Sequence, residues 1–340
     1  MKQEPCYILG IESSCDDTAA AVLNHNKVLS NCITNQEIHN QYGGVVPELA
    51  SRAHQANIIP VVDKALKQAS IKQNDLSAVA YTNGPGLLGS LLVGESFAKS
   101  IAMGLNIPLI GVNHMQAHIL ANFIDQKEIE IPKFPFIGVN LSGGHTQILI
   151  VKNYFEMEII GTTLDDAIGE AFDKCGKKMG LDYPSGPIID KISKLGNPNK
   201  FSFPVPKVDG YNVSYSGCKT AFINFLEKEK KKNLKFIDEN ISDLCSSIQS
   251  NLIKVITQKI EAAVKKTGIN CVVIGGGVSA NTKIREFLKE KNESENWKTH
   301  IPPIEYTTDN AAMIGVAGYF KWKNKKFSAL SSVAKSRIKF

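Results

Sequence analysis

The sequence predicts an α/β protein built from two similar halves. Three short apolar runs end in Gly/Ser-rich turns, at Tyr7–Cys15, Phe136–Thr146 and Cys271–Asn281. The first two align with each other. Placing Gly10 on Gly138 puts Ile11 on Val139, Ser14 on Ser142 and Thr18 on Thr146, and each run continues into a second apolar stretch, Ala19–Leu23 and Ile148–Val151. A β-hairpin with a polar tip occurring once per half is the mark of an internal duplication. Strands that run into helical patterns, such as Ala78–Thr82 into Leu87–Met103, belong to alternating α/β folds. A chain of 340 residues with 43% hydrophobic content is long enough for two moderate cores.

The remaining elements follow in order. Ala50–Ser70 is an amphipathic helix, and the turn Tyr42-Gly43-Gly44-Val45-Val46-Pro47 stops it from extending backward. Ile107–Val112 reads as a buried strand, and the helical pattern after it continues through Phe123. Gln126–Pro135 is charged, holds two prolines and is the expected linker, dividing the chain into lobes of residues 1–133 and 134–340. Asp165–Met179 is helical in spacing, Lys194–Asp209 is a long surface loop, and Asp243–Thr267 is a long helix ended by Gly268. A small-residue helix, Ala311–Tyr319, follows Thr307-Thr308-Asp309-Asn310, where Asp309 reads as an N-cap satisfying free amides.

Composition narrows the class. No apolar run approaches the ~18–20 residues of a membrane span, and Tyr7–Ile11 is too short for a signal-peptide core. The seven cysteines are scattered, odd in number and never in C-x-x-C spacing, which argues for a reducing compartment and against a cysteine zinc site. A cytoplasmic protein is expected. The net charge of +6 is concentrated. Lys321, Lys323, Lys325, Lys326, Lys335, Arg337 and Lys339 stand at the C-terminal end with no acid among them, and a second basic cluster spans Lys228–Lys235. Such runs are either solvated faces or contacts for a phosphate backbone.

Chemistry is concentrated at a few turns. His114 and His118 stand four apart where a strand hands over to a helix, so their imidazoles share one face and can hold one metal ion. Hydrolytic zinc sites place a glutamate just after the first histidine, and here that residue is Met115, which favours a binding or polarising metal. Leu141-Ser142-Gly143-Gly144-His145-Thr146 reads either as a hairpin tip needing positive φ at its glycines or as an anion-binding turn. Gly275–Asn281 lies between a strand and a helix starting near Thr282. About twenty residues on lies the polar stretch Lys291–Trp297, not the acidic residue ending a strand that a dinucleotide fold needs, but a phosphate contact fits a helix N-terminus. Ser216-Gly217-Cys218-Lys219-Thr220 lacks the glycines of a P-loop, and Tyr183-Pro184-Ser185-Gly186-Pro187 reads as a turn.

Together, GIESSCDDT (10–18), YGGVVPELASRAH (42–54), TNGPGLLGSLLVG (82–94), NHMQAH (113–118), SGGHTQ (142–147), DDAIGEAFDK (165–174), LDYPSGP (181–187), SGCKT (216–220), GGGVSAN (275–281) and TDNAAMI (308–314) resemble the tRNA N6-adenosine threonylcarbamoyltransferase family, the TsaD/Gcp type. The resemblance is ordered and runs from about residue 8 to 315. It implies two ribonuclease-H-like lobes of the actin-like ATPase and sugar-kinase (ASKHA) fold with a central cleft. It implies a metal-dependent acyltransferase holding one divalent ion, iron or alternatively zinc, on His114, His118 and Asp309. Asn113 stands where many relatives have His, a difference that bears on the surroundings of the metal. The substrate-binding residues it implies are Asn140, Leu141, Ser142, Gly143, Gly144, Asp173, Gly186, Asp190 and Asn281.

The implied reaction carries threonylcarbamoyl from threonylcarbamoyl-adenylate to the N6 amine of the adenosine adjacent to the anticodon in tRNAs reading codons that begin with A, and releases AMP. Asp16, at the tip of the first hairpin, is the candidate acid/base. Implied partners are tRNA, an inactive paralogue and a P-loop ATPase. Two other classes stay open: a kinase or protein-maturation carbamoyltransferase of the same superfamily, and a nucleotide-gated binding module without chemistry of its own.

Overall fold

The hairpin duplication is realised strand for strand in the computed structural model, which describes residues 4–36, 39, 42, 44–126 and 130–338. Gly43, residues 127–129 of the expected linker, and Lys339 of the basic tail lie outside the described residues. The first part of the chain forms β1 (Tyr7–Glu12), β2 (Thr18–Asn24), β3 (Lys27–Thr34), α1 (Pro47–Ala69), β4 (Leu76–Gly84), α2 (Leu88–Leu105), β5 (Leu109–Asn113) and α3 (His114–Leu120). The strands make one sheet in the order β3-β2-β1-β4-β5. β1 pairs antiparallel with β2 and parallel with β4, because a tight turn joins the first pair while α1 carries the crossover to the second. Pro47 opens α1, where a missing amide hydrogen costs nothing.

The second part repeats the plan. It forms β6 (Phe136–Leu141), β7 (Thr146–Val151), β8 (Met157–Thr162), α4 (Ile168–Met179), α5 (Ser185–Ser193), α6 (Ser216–Lys232), α7 (Phe236–Thr267), β9 (Cys271–Gly275), α8 (Thr282–Ser294) and β10 (Lys298–His300). Its sheet runs β10-β9-β6-β7-β8, the first order reversed in listing and equivalent in topology. Both sheets thus have the ribonuclease-H-like arrangement, three antiparallel strands followed by two parallel ones. Its core joins Ile137, Val139 and Leu141 of β6 to Phe172, Phe222, Ile248 and Leu252 of the covering helices.

Several boundaries differ from the sequence expectation. α4 starts at Ile168, not Asp165, because Asp165 accepts hydrogen bonds from Tyr215 N (2.7 Å), Ser216 N (3.2 Å) and Ser214 Oγ (2.5 Å) at the start of α6. Tyr183–Pro187 is not wholly a turn, since Ser185 already opens α5. α7 begins at Phe236, seven residues before Asp243, and ends at Gly268 with φ 73° as expected.

The largest correction is to the lobes. The compact units are residues 1–132 with 302–340, and residues 133–301, so the C-terminal segment belongs to the first unit and not to a lobe of 134–340. The reason is α9 (Ala311–Lys323), a helix buried all round from Ala311 to Phe320. β1 has no polar face: Ile8, Leu9 and Ile11 are all at most 1% exposed, so its sheet needs cover on both sides. α1 and α2 cover one side, and α9 covers the other at close range. A Cβ on Gly10 would collide with the Ala311 carbonyl, and one on Gly318 with Ala80. Among the described residues no helix is long and apolar enough to cross a membrane.

Candidate metal centre and ligand-binding turns

In the first unit, β5 ends at Asn113, whose side chain caps α3 by accepting from Met115 N (2.9 Å) and Gln116 N (3.2 Å). The cap forces helix to begin at once, which sets His114 and His118 one turn apart with ring centroids 4.7 Å apart. Asp309 is not the N-cap of α9, as its sequence context suggested. Asn310 takes that role, its Oδ1 accepting from Met313 N at 3.0 Å. Asp309 Oδ1 is thereby left to face the histidines, 3.4 Å from His114 Nε2 and 3.2 Å from His118 Nε2. Ligand atoms of the three side chains all lie within 4.8 Å of one another.

A residue that sequence reasoning missed completes the arrangement. Glu12, fully buried at the end of β1, places Oε2 2.9 Å from His114 Nδ1. Its carboxylate also accepts from Thr82 Oγ1 (2.7 Å) and from Ser14 N (2.5 Å). The signal was a lone acid ending an otherwise apolar strand. His54 was missed too, although it stands on the apolar stripe Ala50, His54, Ile58 of α1. Its Nε2 lies 3.0 Å from Cys15 O and its Nδ1 2.8 Å from Thr18 Oγ1, so it holds the Ser13–Asp17 turn on which Asp16 sits.

The carboxylates and imidazoles of the cluster stabilise one another's charges. Burial pushes the Asp309 carboxyl up, but the adjoining His114 and His118 outweigh burial and hold it well below the usual carboxylate range. Burial disfavours charge on His114, yet Glu12 and Asp309 carry its pKa well above the ordinary value. Glu12 is likewise lowered, His114 overcoming its desolvation. His118 is lowered by burial against the pull of Asp309. Asp17 is pushed up to about 7, by burial first and then by Asp16, Asp309 and Glu12.

The donor set fits a divalent metal. Both ring nitrogens of His118 are buried and make no hydrogen bond; Nε2 faces Asp309 without hydrogen-bond geometry. Buried polar atoms are ordinarily paired, so an imidazole without a hydrogen bond beside a carboxylate and a second imidazole is a donor set that suits a divalent cation. His114 has Nδ1 against Glu12, which turns Nε2 toward Asp309.

In the second unit the implied substrate residues fall into three groups. Asn140, next to last in β6, pairs with Gly275 of β9, and Leu141 and the turn Ser142–Gly144 follow. This is the carboxyl end of parallel strands, where open α/β sheets bind ligands. Gly143 and Gly144 do not have positive φ, contrary to the hairpin reading, and a Cβ on either would meet nothing within 4 Å. Gly276 is the glycine with a backbone need: its φ is +90°, and a Cβ there would lie 2.5 Å from Leu141 O. Gly169 at the start of α4 also abuts this turn, since a Cβ on it would lie 2.8 Å from Gly143 Cα.

The second group is Asp173 and Gly186. Asp173 Oδ1 accepts from Ser185 N at 2.7 Å, and its pKa is raised by burial against the amides of Ser185 and Gly186. In the third, Asp190 accepts from Thr282 Oγ1 (2.6 Å) and Thr282 N (3.2 Å), beside Asn281, which caps α8 and donates to Gln249 Oε1 at 2.8 Å. Lys219, in the first turn of α6, pairs with Asp166, and the Ser216–Thr220 segment is no P-loop, as its sequence indicated.

Residues 27–316 match the family model described as tRNA N6-adenosine threonylcarbamoyltransferase. A relative of that name from Christiangramia forsetii is 58% identical over 340 residues, 100% of both chains. One from Riemerella anatipestifer is 56% identical over 99% of this chain and 98% of its own. Solved structures share the fold at low identity. Full-length HypF in its phosphate- and nucleotide-bound form has a TM-score of 0.61 at 15% identity over 96% of this chain, which spans 48% of that one. Component A of the (R)-2-hydroxyglutaryl-CoA dehydratase of Acidaminococcus fermentans has a TM-score of 0.52 at 13% identity, over 93% of this chain and 98% of that one. The fold is that of the actin-like ATPase and sugar-kinase superfamily.

Proposed function

Since the chain belongs to the tRNA N6-adenosine threonylcarbamoyltransferase family, its reaction is transfer of threonylcarbamoyl to the N6 amine of an adenosine in tRNA, and we propose that the donor is threonylcarbamoyl-adenylate and the acceptor the adenosine adjacent to the anticodon in tRNAs reading codons that begin with A. The observation that carries the reading is the His114, His118 and Asp309 cluster with Glu12 behind it.

The acceptor amine is a weak nucleophile because its lone pair is delocalised into the purine ring, so the donor has to be activated. In the transfer, N6 bonds to the carbamoyl carbon, the bond from that carbon to the phosphate oxygen breaks, and AMP leaves with the electron pair while N6 gives up a proton. Asp16, held on its turn through the His54 bond to Cys15, is the proposed acceptor of that proton. His114, His118 and Asp309 are the residues that would hold one divalent ion, iron or alternatively zinc. Bound there, such an ion supplies Lewis-acid polarisation of a carbonyl or carboxylate oxygen. Asn140, Leu141, Ser142, Gly143 and Gly144 present backbone amides and a hydroxyl to the adenylate, and Asp173, Gly186, Asp190 and Asn281 complete its site. The protein works in the cytoplasm with an inactive paralogue and a P-loop ATPase.

The test is incubation of the protein with threonylcarbamoyl-adenylate and unmodified tRNA, followed by nucleoside analysis. Threonylcarbamoyladenosine in the tRNA and AMP in equal amount support the reading. ATP turnover without modified nucleoside would favour the kinase class instead.

A further inference from the structure

The residues after α9 run as a strap across the first unit, held by polar bonds more than by apolar burial. Ser328 N donates to Leu109 O (2.8 Å), and its Oγ accepts from Gly111 N (2.9 Å), both on β5. Lys335 N donates to Asn83 O (2.9 Å), and Gly86 N donates to Ser336 O (3.2 Å). Phe327, Leu330 and Val333 remain 47%, 48% and 62% exposed, so they contribute little to holding the segment down.

What fastens the strap is a buried carboxylate that the reaction does not use. Glu95 of α2 is 3% exposed. Its Oε2 accepts from Ala334 N at 3.0 Å, and its Oε1 pairs with Lys99 Nζ at 3.1 Å. Lys99 Nζ in turn donates to Ser332 O at 2.5 Å. A buried charge is costly unless compensated, and here the compensation comes from the strap backbone, one lysine and the Tyr81 hydroxyl, which donates to Oε1 at 3.5 Å.

The loop beneath the strap leads to the metal centre. Leu87 N donates to Ser14 O at 2.8 Å, and a Cβ on Gly86 would lie 2.5 Å from the same oxygen. Ser14 Oγ lies 3.2 Å from His114 Nδ1, and Ser14 N donates to Glu12. The Asn83–Leu87 loop is therefore clasped between the strap on one side and the turn that orients His114 on the other.

We propose that the strap of residues 328–337 is a positioning element for His114 and that Glu95 is the residue that locks it. The proposal rests on the reading of His114 as a metal ligand, but its first readout does not. The full-length chain is compared with Ala334→Pro, which removes the amide donated to Glu95, with Glu95→Gln, which keeps the volume and removes the charge, and with Val333→Ala as an exposed control. Amide hydrogen exchange on metal-free protein should become about tenfold faster at Gly86 and Leu87 in Ala334→Pro, less so in Glu95→Gln, and unchanged in α7. Cobalt(II) affinity should fall about tenfold in Ala334→Pro and stay at the wild-type value in the control.

Unchanged exchange at Gly86 and Leu87 overturns the lock. Faster exchange with wild-type cobalt affinity overturns the positioning role. A wild-type chain that binds no cobalt defeats the metal reading alone, and exchange at the Ser14 turn then decides: protection lost there in Ala334→Pro supports the strap, and protection kept overturns it.

Discussion

Glu12 Oε2 stands 2.9 Å from His114 Nδ1, and this contact settles which ring nitrogen can meet a metal. When the ring is neutral and Nδ1 donates to the carboxylate, the lone pair of Nε2 faces Asp309, the carboxylate–histidine arrangement that orients metal ligands in general. Glu12→Gln keeps the shape and removes the charge. It should weaken metal binding by about 10–100-fold, read by competition with a chelator, while the protein stays folded. Wild-type affinity in this variant would reduce Glu12 to a buried acid with no part in the site.

Two glycines of the second unit should behave oppositely. Gly143 has room for a side chain, so Gly143→Ala should melt as the wild type does yet bind the adenylate more weakly, because the methyl fills the space over the bare backbone. Gly276→Ala meets both a φ of +90° and the Leu141 carbonyl, and should lose about 1–3 kcal/mol of stability in chemical denaturation. Equal ligand affinity for Gly143→Ala and wild type in isothermal titration would return the turn to a plain hairpin tip.

Asp17 predicts a pH dependence. Its carboxyl is raised from 3.8 to about 7, by burial and then by Asp16, Asp309 and Glu12. Between those values the folded chain binds more protons than the unfolded one, so this group's contribution is fully present below about 4 and is lost as pH rises toward 7. Asp17→Asn should therefore stabilise the chelator-treated protein at pH 7 and flatten its stability profile below that pH. The gain is at most a few kcal/mol, since one pKa unit is worth about 1.4 kcal/mol. A variant no more stable than wild type at neutral pH would contradict the burial of this carboxylate.

The basic C-terminal segment divides into inward and outward charges. Lys321 Nζ donates to Gly111 O at 2.7 Å, and burial lowers its pKa, so it serves the fold. Lys323, Lys325, Lys335 and Arg337 are exposed. Replacing these four with Gln should weaken tRNA binding and flatten its salt dependence, by roughly 0.7–0.9 log units of slope for each phosphate left without its cation. Filter binding over a salt series reads this, and an unchanged slope would make the four charges a solvated face. Substitution is a cleaner test than truncation because residues 328–336 are hydrogen-bonded to the first unit.

The parts of the protein legible in its sequence are those with a local period. The paired hairpins, the hand-over from β5 to α3 and the i, i+4 histidines could be read from spacing alone, and the structure forms each of them. The lobe boundary could not, because α9 carries no compositional sign that its small residues fit the sheet of the first unit. Local pattern alone made Asp309 an N-cap, a role that the next residue, Asn310, takes instead, and only the family resemblance set Asp309 with the histidines. Glu12 acts through a partner 102 positions along the chain, a relationship no window of sequence contains.

The most direct measurement pairs metal stoichiometry with transfer. Elemental analysis and nucleoside analysis would be run together on the wild type, His114→Ala, His118→Ala and Asp309→Asn, each checked for folding. The account predicts one divalent ion per wild-type chain, its loss in both alanine variants, weakened retention in Asp309→Asn, and a fall in threonylcarbamoyladenosine that tracks the metal. Full metal content and wild-type transfer in His118→Ala would contradict it.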